Sequence, residues 1–116
     1  MNRRAFGTEG ESAACAYLRR KGWAIVDTNV RRGRGEIDIV ARKRGTTAFI
    51  EVKRRSSLRY GQPAEAVNLE KRRRIAGAAA LYMQERNLDR VRFDVIEILP
   101  DEIRHIASAY DATDLF

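Results

Sequence analysis

The apolar positions of this chain follow two periods. Ala14, Tyr17 and Leu18 recur at helical spacing, Thr8 and Glu11 have the spacing of a capping box, and Gly22 is placed to end the helix in a left-handed conformation. The pattern predicts a helix over about 8–21. A second stripe, Ile75, Ala79, Tyr82 and Met83, predicts a helical segment over 64–86, inside which Asn68 can cap a fresh start. The other apolar runs are short and rich in Ile, Val and Phe; 23–26, 36–41, 47–53, 91–99 and 103–106 read as strands. Between them, 31–35 and 55–63 are basic loops carrying glycine, the second with Gly61 and Pro63 as breakers. Residues 1–7 read as a flexible basic arm and 111–116 as a loose tail. The order α-β-β-β-α-β-β predicts an α/β layer arrangement, a mixed sheet flanked by helices. A length of 116 residues suits one domain.

Within this order the 36–53 hairpin carries chemistry. With the turn at Arg44-Gly45, pairing runs from Lys43 and Thr46 outward, placing Val40 opposite Phe49, Asp38 opposite Glu51 and Glu36 opposite Lys53. The other face holds Ile37, Ile39 and Ala41 against Ala48, Ile50 and Val52, a core face that fixes the register. A turn slipped by one residue would put one strand's apolar set on the wrong face. Like charges facing each other across strands cost up to about 1 kcal/mol. A hard divalent cation offsets that cost, because Mg²⁺ is typically held by one or two carboxylates with water and phosphate completing its octahedron. Lys53 beside it could orient or deprotonate a water. The same residues also suit plain edge-strand charges, with Glu36 and Lys53 forming an ion pair worth a few tenths of a kcal/mol. Spacing alone leaves both readings open.

Composition narrows the classes. A net charge of +7 points to a polyanionic partner, while 44% hydrophobic residues beside 34% charged ones describe a chain that folds. Cys15 is the only cysteine, which excludes an intrachain disulfide and a cysteine-cluster zinc site; its neighbours Ala13, Ala14 and Ala16 make it a small buried helical residue. No apolar stretch suits a signal peptide or a membrane span, so the expectation is a cytoplasmic protein with no membrane partner. The single His105 excludes a histidine-based triad or multi-histidine metal site and reads as structural. Arg31, Arg32 and Arg34 before the hairpin, and Arg54, Arg55 and Arg59 after it, could pair with phosphates or simply be solvated. The run from Lys71 to Arg74 spreads around most of a helical turn. Asp94 supports the fold or lies near the site; the sequence leaves its role, and that of Glu36, open.

Gly35-Glu36-Ile37-Asp38-Ile39-Val40 followed by Phe49-Ile50-Glu51-Val52-Lys53-Arg54-Arg55 resembles the PD-(D/E)xK nuclease signature, with Asp38, Glu51 and Lys53 at its signature positions and Ile37 in place of its proline. More closely, the chain resembles the YraN-type family of small bacterial proteins, itself similar to archaeal Holliday junction resolvases. Gly10-Glu11, Ala14, Leu18, Gly22, Asn29, Arg31, Gly61, Ala66-Val67, Lys71, Ala79, Tyr82 and Arg92-Phe93-Asp94-Val95 carry that likeness, with Ile103, His105, Ile106 and Ala109. The resemblance implies a restriction-endonuclease-like fold in which Asp38, Glu51 and the Val52 carbonyl bind Mg²⁺ or Mn²⁺, Lys53 assists the water, and Glu11 reaches the same site. It implies a metal-dependent endonuclease of DNA, including branched DNA, favours Lys71 as a nucleic-acid contact beside the candidate phosphate contacts Arg31, Arg32, Arg34, Arg54, Arg55 and Arg59, and, by analogy with the resolvases, suggests a homodimer. A non-catalytic nucleic-acid-binding module on the same fold is the alternative.

Overall fold

The computed structural model describes residues 3–55, 68–88 and 90–112, with side chains from residue 10. Its elements are α1 (Arg3–Arg20), β1 (Ala24–Arg32), β2 (Gly35–Lys43), β3 (Thr46–Arg54), α2 (Leu69–Gln84), β4 (Arg90–Ile98) and β5 (Ile103–Tyr110). They follow the expected order. The five strands form one sheet in the order β1-β2-β3-β4-β5, antiparallel throughout except for the parallel β3–β4 pair, whose crossover contains α2. The sheet is buried on both faces. Val40, Phe49, Phe93 and Val95 pack with Ile75, Ala79 and Tyr82 of α2, and Ile39, Ala41, Ala48, Ile50 and Ile96 pack with Ala14, Cys15 and Leu18 of α1. Burial raises the Cys15 thiol pKa, as expected of a core residue and not a reactive one.

The β2–β3 turn falls where glycine demanded it. Arg44 and Gly45 both have positive φ, 50° and 81°, the type I′ geometry that matches strand twist. Pairing runs from Lys43↔Thr46 through Val40↔Phe49 to Ile39↔Ile50. Ile37 departs from the expected face: it packs with Val30 in the cluster beneath α2 instead of beside Ile39. At the start of β2, Gly35 meets α2 so closely that a Cβ would lie 1.9 Å from the Arg74 carbonyl oxygen. Only glycine lets helix and strand approach there.

Several boundaries differ from expectation. Helix α1 already runs at Arg3, so residues 3–7 are helical and not an arm, and Thr8 sits inside the helix and not at its cap. Strand β1 extends to Arg32, which places Arg31 and Arg32 in a strand and leaves the turn to Gly33 and Arg34. Strand β5 reaches Tyr110 because the Ser108 N–H donates to Asp94 Oδ1 at 2.9 Å, stapling an irregularity in the β4–β5 ladder. Beyond it Ala112 is buried in the core, so the tail is packed at least that far. Helix α2 begins at Leu69, capped by Asn68, whose side chain accepts the Lys71 N–H at 2.9 Å. The expected helix start at 64–67, Arg59, Gly61 and Pro63 lie outside the described residues.

Candidate active site

The site grows from the end of the β2–β3 ladder. Past Ile39↔Ile50 no further strand pair forms; instead the Asp38 carboxylate Oδ2 accepts the Val52 N–H at 2.8 Å. A side chain has taken the place of a backbone acceptor, which opens the strands and aims Asp38 toward Glu51. Both carboxylates line a cleft of about 490 Å³ with Arg34, Glu36, Asn68, Lys71 and Arg74. Glu51 is buried, at 7% exposure, and forms an ion pair with Lys71 Nζ.

This pair of acids is electrostatically unbalanced. The Asp38 pKa is pushed up to about 8, first by burial, then by the Glu51 charge; the Val52 N–H opposes the shift, while a hydrogen bond with Glu51 and the more distant charge of Glu11 add to it. Two carboxyls in hydrogen-bonding contact need a proton between them. A divalent cation can replace that proton, and two carboxylates with the neighbouring Val52 carbonyl are hard oxygen donors of the kind Mg²⁺ and Mn²⁺ take. The residues therefore fit such an ion. Lys53 lies on the same strand face as Glu51, beside Glu97 across the parallel ladder. Its pKa is lowered by burial first and next by the Lys71 charge, a direction that makes the amine easier to deprotonate.

Glu11 stands at the margin: its Oε2 accepts from Asn29 Nδ2 at 2.9 Å. Asn29 itself has φ 51°, a left-handed conformation that asparagine tolerates. Among the described residues no three Asp, Glu, His or Cys side chains converge as a metal cluster.

The basic residues separate. Arg34 and Lys71 line the cleft. Arg31 pairs with Glu36 at 3.4 Å, so Glu36 faces Arg31 and not Lys53 as expected. Arg32 pairs with Glu85 at the end of α2, bonding through Nε at 2.5 Å. Arg55 bonds the fully buried Glu97 at 2.9 Å. The Arg54 chain lies over Gly10 of α1, across the sheet from α2. Asp94 is fully buried, held by His105 Nε2 at 2.6 Å and Arg92 at 3.1 Å; it faces α1, away from the cleft, and supports the fold. His105 is structural in the same way. Asn29, Glu97 and the Lys71–Glu51 pair are what sequence reasoning missed; the asparagine in a β-rich run and the charge in the apolar β4 run were their only local signals.

A mixed five-stranded sheet between helices with an acidic pair at a ladder end defines a restriction-endonuclease-like α/β protein. Archaeoglobus fulgidus Hjc, a Holliday junction resolvase, shares that fold with a TM-score of 0.53 and 21% sequence identity, over 87% of this chain and 76% of that one. The chain belongs to the uncharacterised protein family UPF0102, whose profile matches residues 10–98. Relatives described as UPF0102 proteins include one from Syntrophotalea carbinolica, 44% identical over 94% of each chain. Another, from Clostridioides difficile, is 42% identical over 95% of this chain and all of its own. No helix among the described residues is long and apolar enough to cross a membrane.

Proposed function

We propose that the chain is a metal-dependent endonuclease that hydrolyses DNA phosphodiester bonds, with branched or structured DNA as its substrate class. The observation that carries this reading is the Asp38–Glu51 pair, set beyond the end of the ladder with Glu51 buried and Asp38 half-buried, whose mutual repulsion a divalent cation would offset. Asp38, Glu51 and the Val52 carbonyl would hold Mg²⁺ or Mn²⁺, which when bound supplies charge neutralisation and an acidified water. Glu11 joins them on leaving Asn29. Lys53 would then take a proton from the attacking water, whose oxygen forms a new bond to phosphorus as the bond to one bridging deoxyribose oxygen breaks; that oxygen departs with a proton from solvent. Arg34 and Lys71 in the cleft would hold phosphate oxygens, and Arg31, Arg32 and Arg55, with Arg54 on the other side of the sheet and Arg59 outside the described residues, are further candidate phosphate contacts. A cytoplasmic homodimer acting at the nucleoid suits a two-sided junction, on analogy with the resolvases.

The Lys71–Glu51 ion pair favours a second reading, a nucleic-acid-binding module without turnover, because an internal cation already occupies one carboxylate. The test incubates wild type and Lys53→Ala with labelled single-stranded, duplex, flap and four-way-junction DNA in Mg²⁺, Mn²⁺ or EDTA. Cleavage that requires metal and is lost in the variant supports the nuclease. Absence of cleavage by wild type, with salt-sensitive binding retained, supports the module.

A further inference from the structure

The cations of this chain divide by location. Around the cleft and along α2, six of them have a carboxylate: Arg31 with Glu36, Arg32 with Glu85, Arg55 with Glu97, Lys71 with Glu51, Arg74 with Glu70 and Arg86 with Asp27. The opposite end of the sheet differs. There α1 ends in Arg19 and Arg20, Lys21 follows, and the β2–β3 turn carries Arg42, Lys43 and Arg44; the pairing Ala24↔Arg42 brings the two segments to one edge. Five of these are exposed and Lys43 is half-buried, and no ion pair joins any of them to a described carboxylate.

Two features show this surface to be built. Lys43 Nζ donates to the Lys21 carbonyl at 2.6 Å and lies 6.0 Å from the centre of the Trp23 ring, tying the turn to the end of α1. Arg44 holds φ 50° at the first central position of a type I′ turn, where asparagine, aspartate or glycine fits best. The turn thus keeps a guanidinium at its tip against the backbone preference of arginine.

We propose that this turn end is a second nucleic-acid surface, separate from the Asp38–Glu51 cleft, that binds the phosphate backbone. Four of its six cations are arginines, whose planar forks pair bidentately with phosphate. The exposed large apolar side chains, Val26, Leu69 and Leu81, lie outside both segments, so nothing there enters a bilayer. Lys43 lies five residue steps along β2 from Asp38, roughly 17 Å at about 3.4 Å per residue, so DNA can be held at the turn end while the cleft remains open. This deepens the DNA reading, but its test needs no metal and no cleavage.

Fluorescence anisotropy with labelled duplex and four-way-junction DNA in EDTA, across a salt series, compares Arg42→Thr/Arg44→Asn with a control of equal net charge, Arg73→Gln/Arg104→Thr. Arg44→Asn creates a favourable Asn-Gly turn, and melting curves verify that both variants fold. The turn variant is expected to lose about tenfold or more in affinity near 0.1 M salt and to lower the log–log salt slope by nearly 2, at about 0.9 per phosphate neutralised. The control should remain close to wild type. Equal losses in both variants would mean that net charge alone attracts DNA and would overturn the proposal, as would unchanged affinity in the turn variant. Turn-dependent binding to phosphatidylserine vesicles with DNA affinity intact would overturn it in favour of a membrane surface.

Discussion

Replacing Asp38 with asparagine tests the electrostatics of the cleft without changing its shape. The amide oxygen still accepts the Val52 N–H that Asp38 Oδ2 accepts at 2.8 Å, while the charge facing Glu51 disappears. In the folded protein the Asp38 carboxyl titrates at about 8 against an ordinary 3.8. The folded state therefore binds this proton more tightly than the unfolded chain. Stability from this group is fully present below pH 3.8 and is lost as the pH rises through about 8. At about 1.4 kcal/mol per pH unit the whole interval sets a ceiling on the order of 6 kcal/mol. Relaxation and water entry reduce such penalties, so the expected gain for Asp38→Asn without metal at pH 8 is about 2 kcal/mol. That corresponds to roughly 10 °C in Tm for a chain of this size. The assay is thermal unfolding in EDTA at pH 5 and pH 8, repeated in Mn²⁺. At pH 5 the advantage should fall to roughly a third, since Asp38 is then protonated in the folded protein but still ionised in the unfolded chain, and it should vanish only below pH 3.8. In Mn²⁺ at about 100 times its Kd, wild type should gain about 2.7 kcal/mol and the variant little. A variant no more stable than wild type at pH 8 in EDTA, or one whose advantage is undiminished at pH 5, would refute this reasoning.

Three other substitutions probe separate parts of the argument. Lys71→Met removes the cation on Glu51, and Mn²⁺ should then bind the metal-free protein about five- to tenfold more tightly by calorimetry, since no ion pair must open; unchanged or weaker binding would show that Lys71 does not compete. Gly35→Ala puts a Cβ 1.9 Å from the Arg74 carbonyl oxygen, and should cost about 2–4 kcal/mol in urea unfolding as α2 is pushed from β2. Asp94→Ala leaves His105, Arg92 and the Ser108 N–H without their shared acceptor and should cost about 3 kcal/mol, while metal affinity in the cleft across the sheet stays unchanged.

How much of this was legible depends on whether a feature is local. The hairpin register was, because alternation and an Arg-Gly turn determine it within 18 residues of chain. Its ending was not: extrapolated pairing put Glu36 against Lys53, but Asp38 captures the Val52 N–H and ends the ladder first. A polar side chain competing with the backbone leaves no mark on periodicity. The length of β5 was hidden for a similar reason, since the Ser108 N–H is satisfied by Asp94 from another strand. Glu11 and Asn29 lie 18 residues apart, and only the fold brings them together.

Lys71 is the instructive intermediate case. Four consecutive cations from Lys71 to Arg74 looked equivalent while the phase of the helix was undecided. The phase is nevertheless present in the sequence, because the buried residues Ile75, Ala79 and Tyr82 mark the face of α2 that meets the sheet. Counting back four from Ile75 reaches Lys71, and counting back another three reaches Asn68, the cap. The core stripe thus ends in a lysine on its own face, at the turn nearest the opened strands, and its ammonium meets the one buried carboxylate that β3 presents there. Arg72 and Arg73 lie about 100° and 200° further around the helix and cannot make that contact. Of the four cations, the one that reaches Glu51 in the cleft is decided by the same periodicity that builds the core.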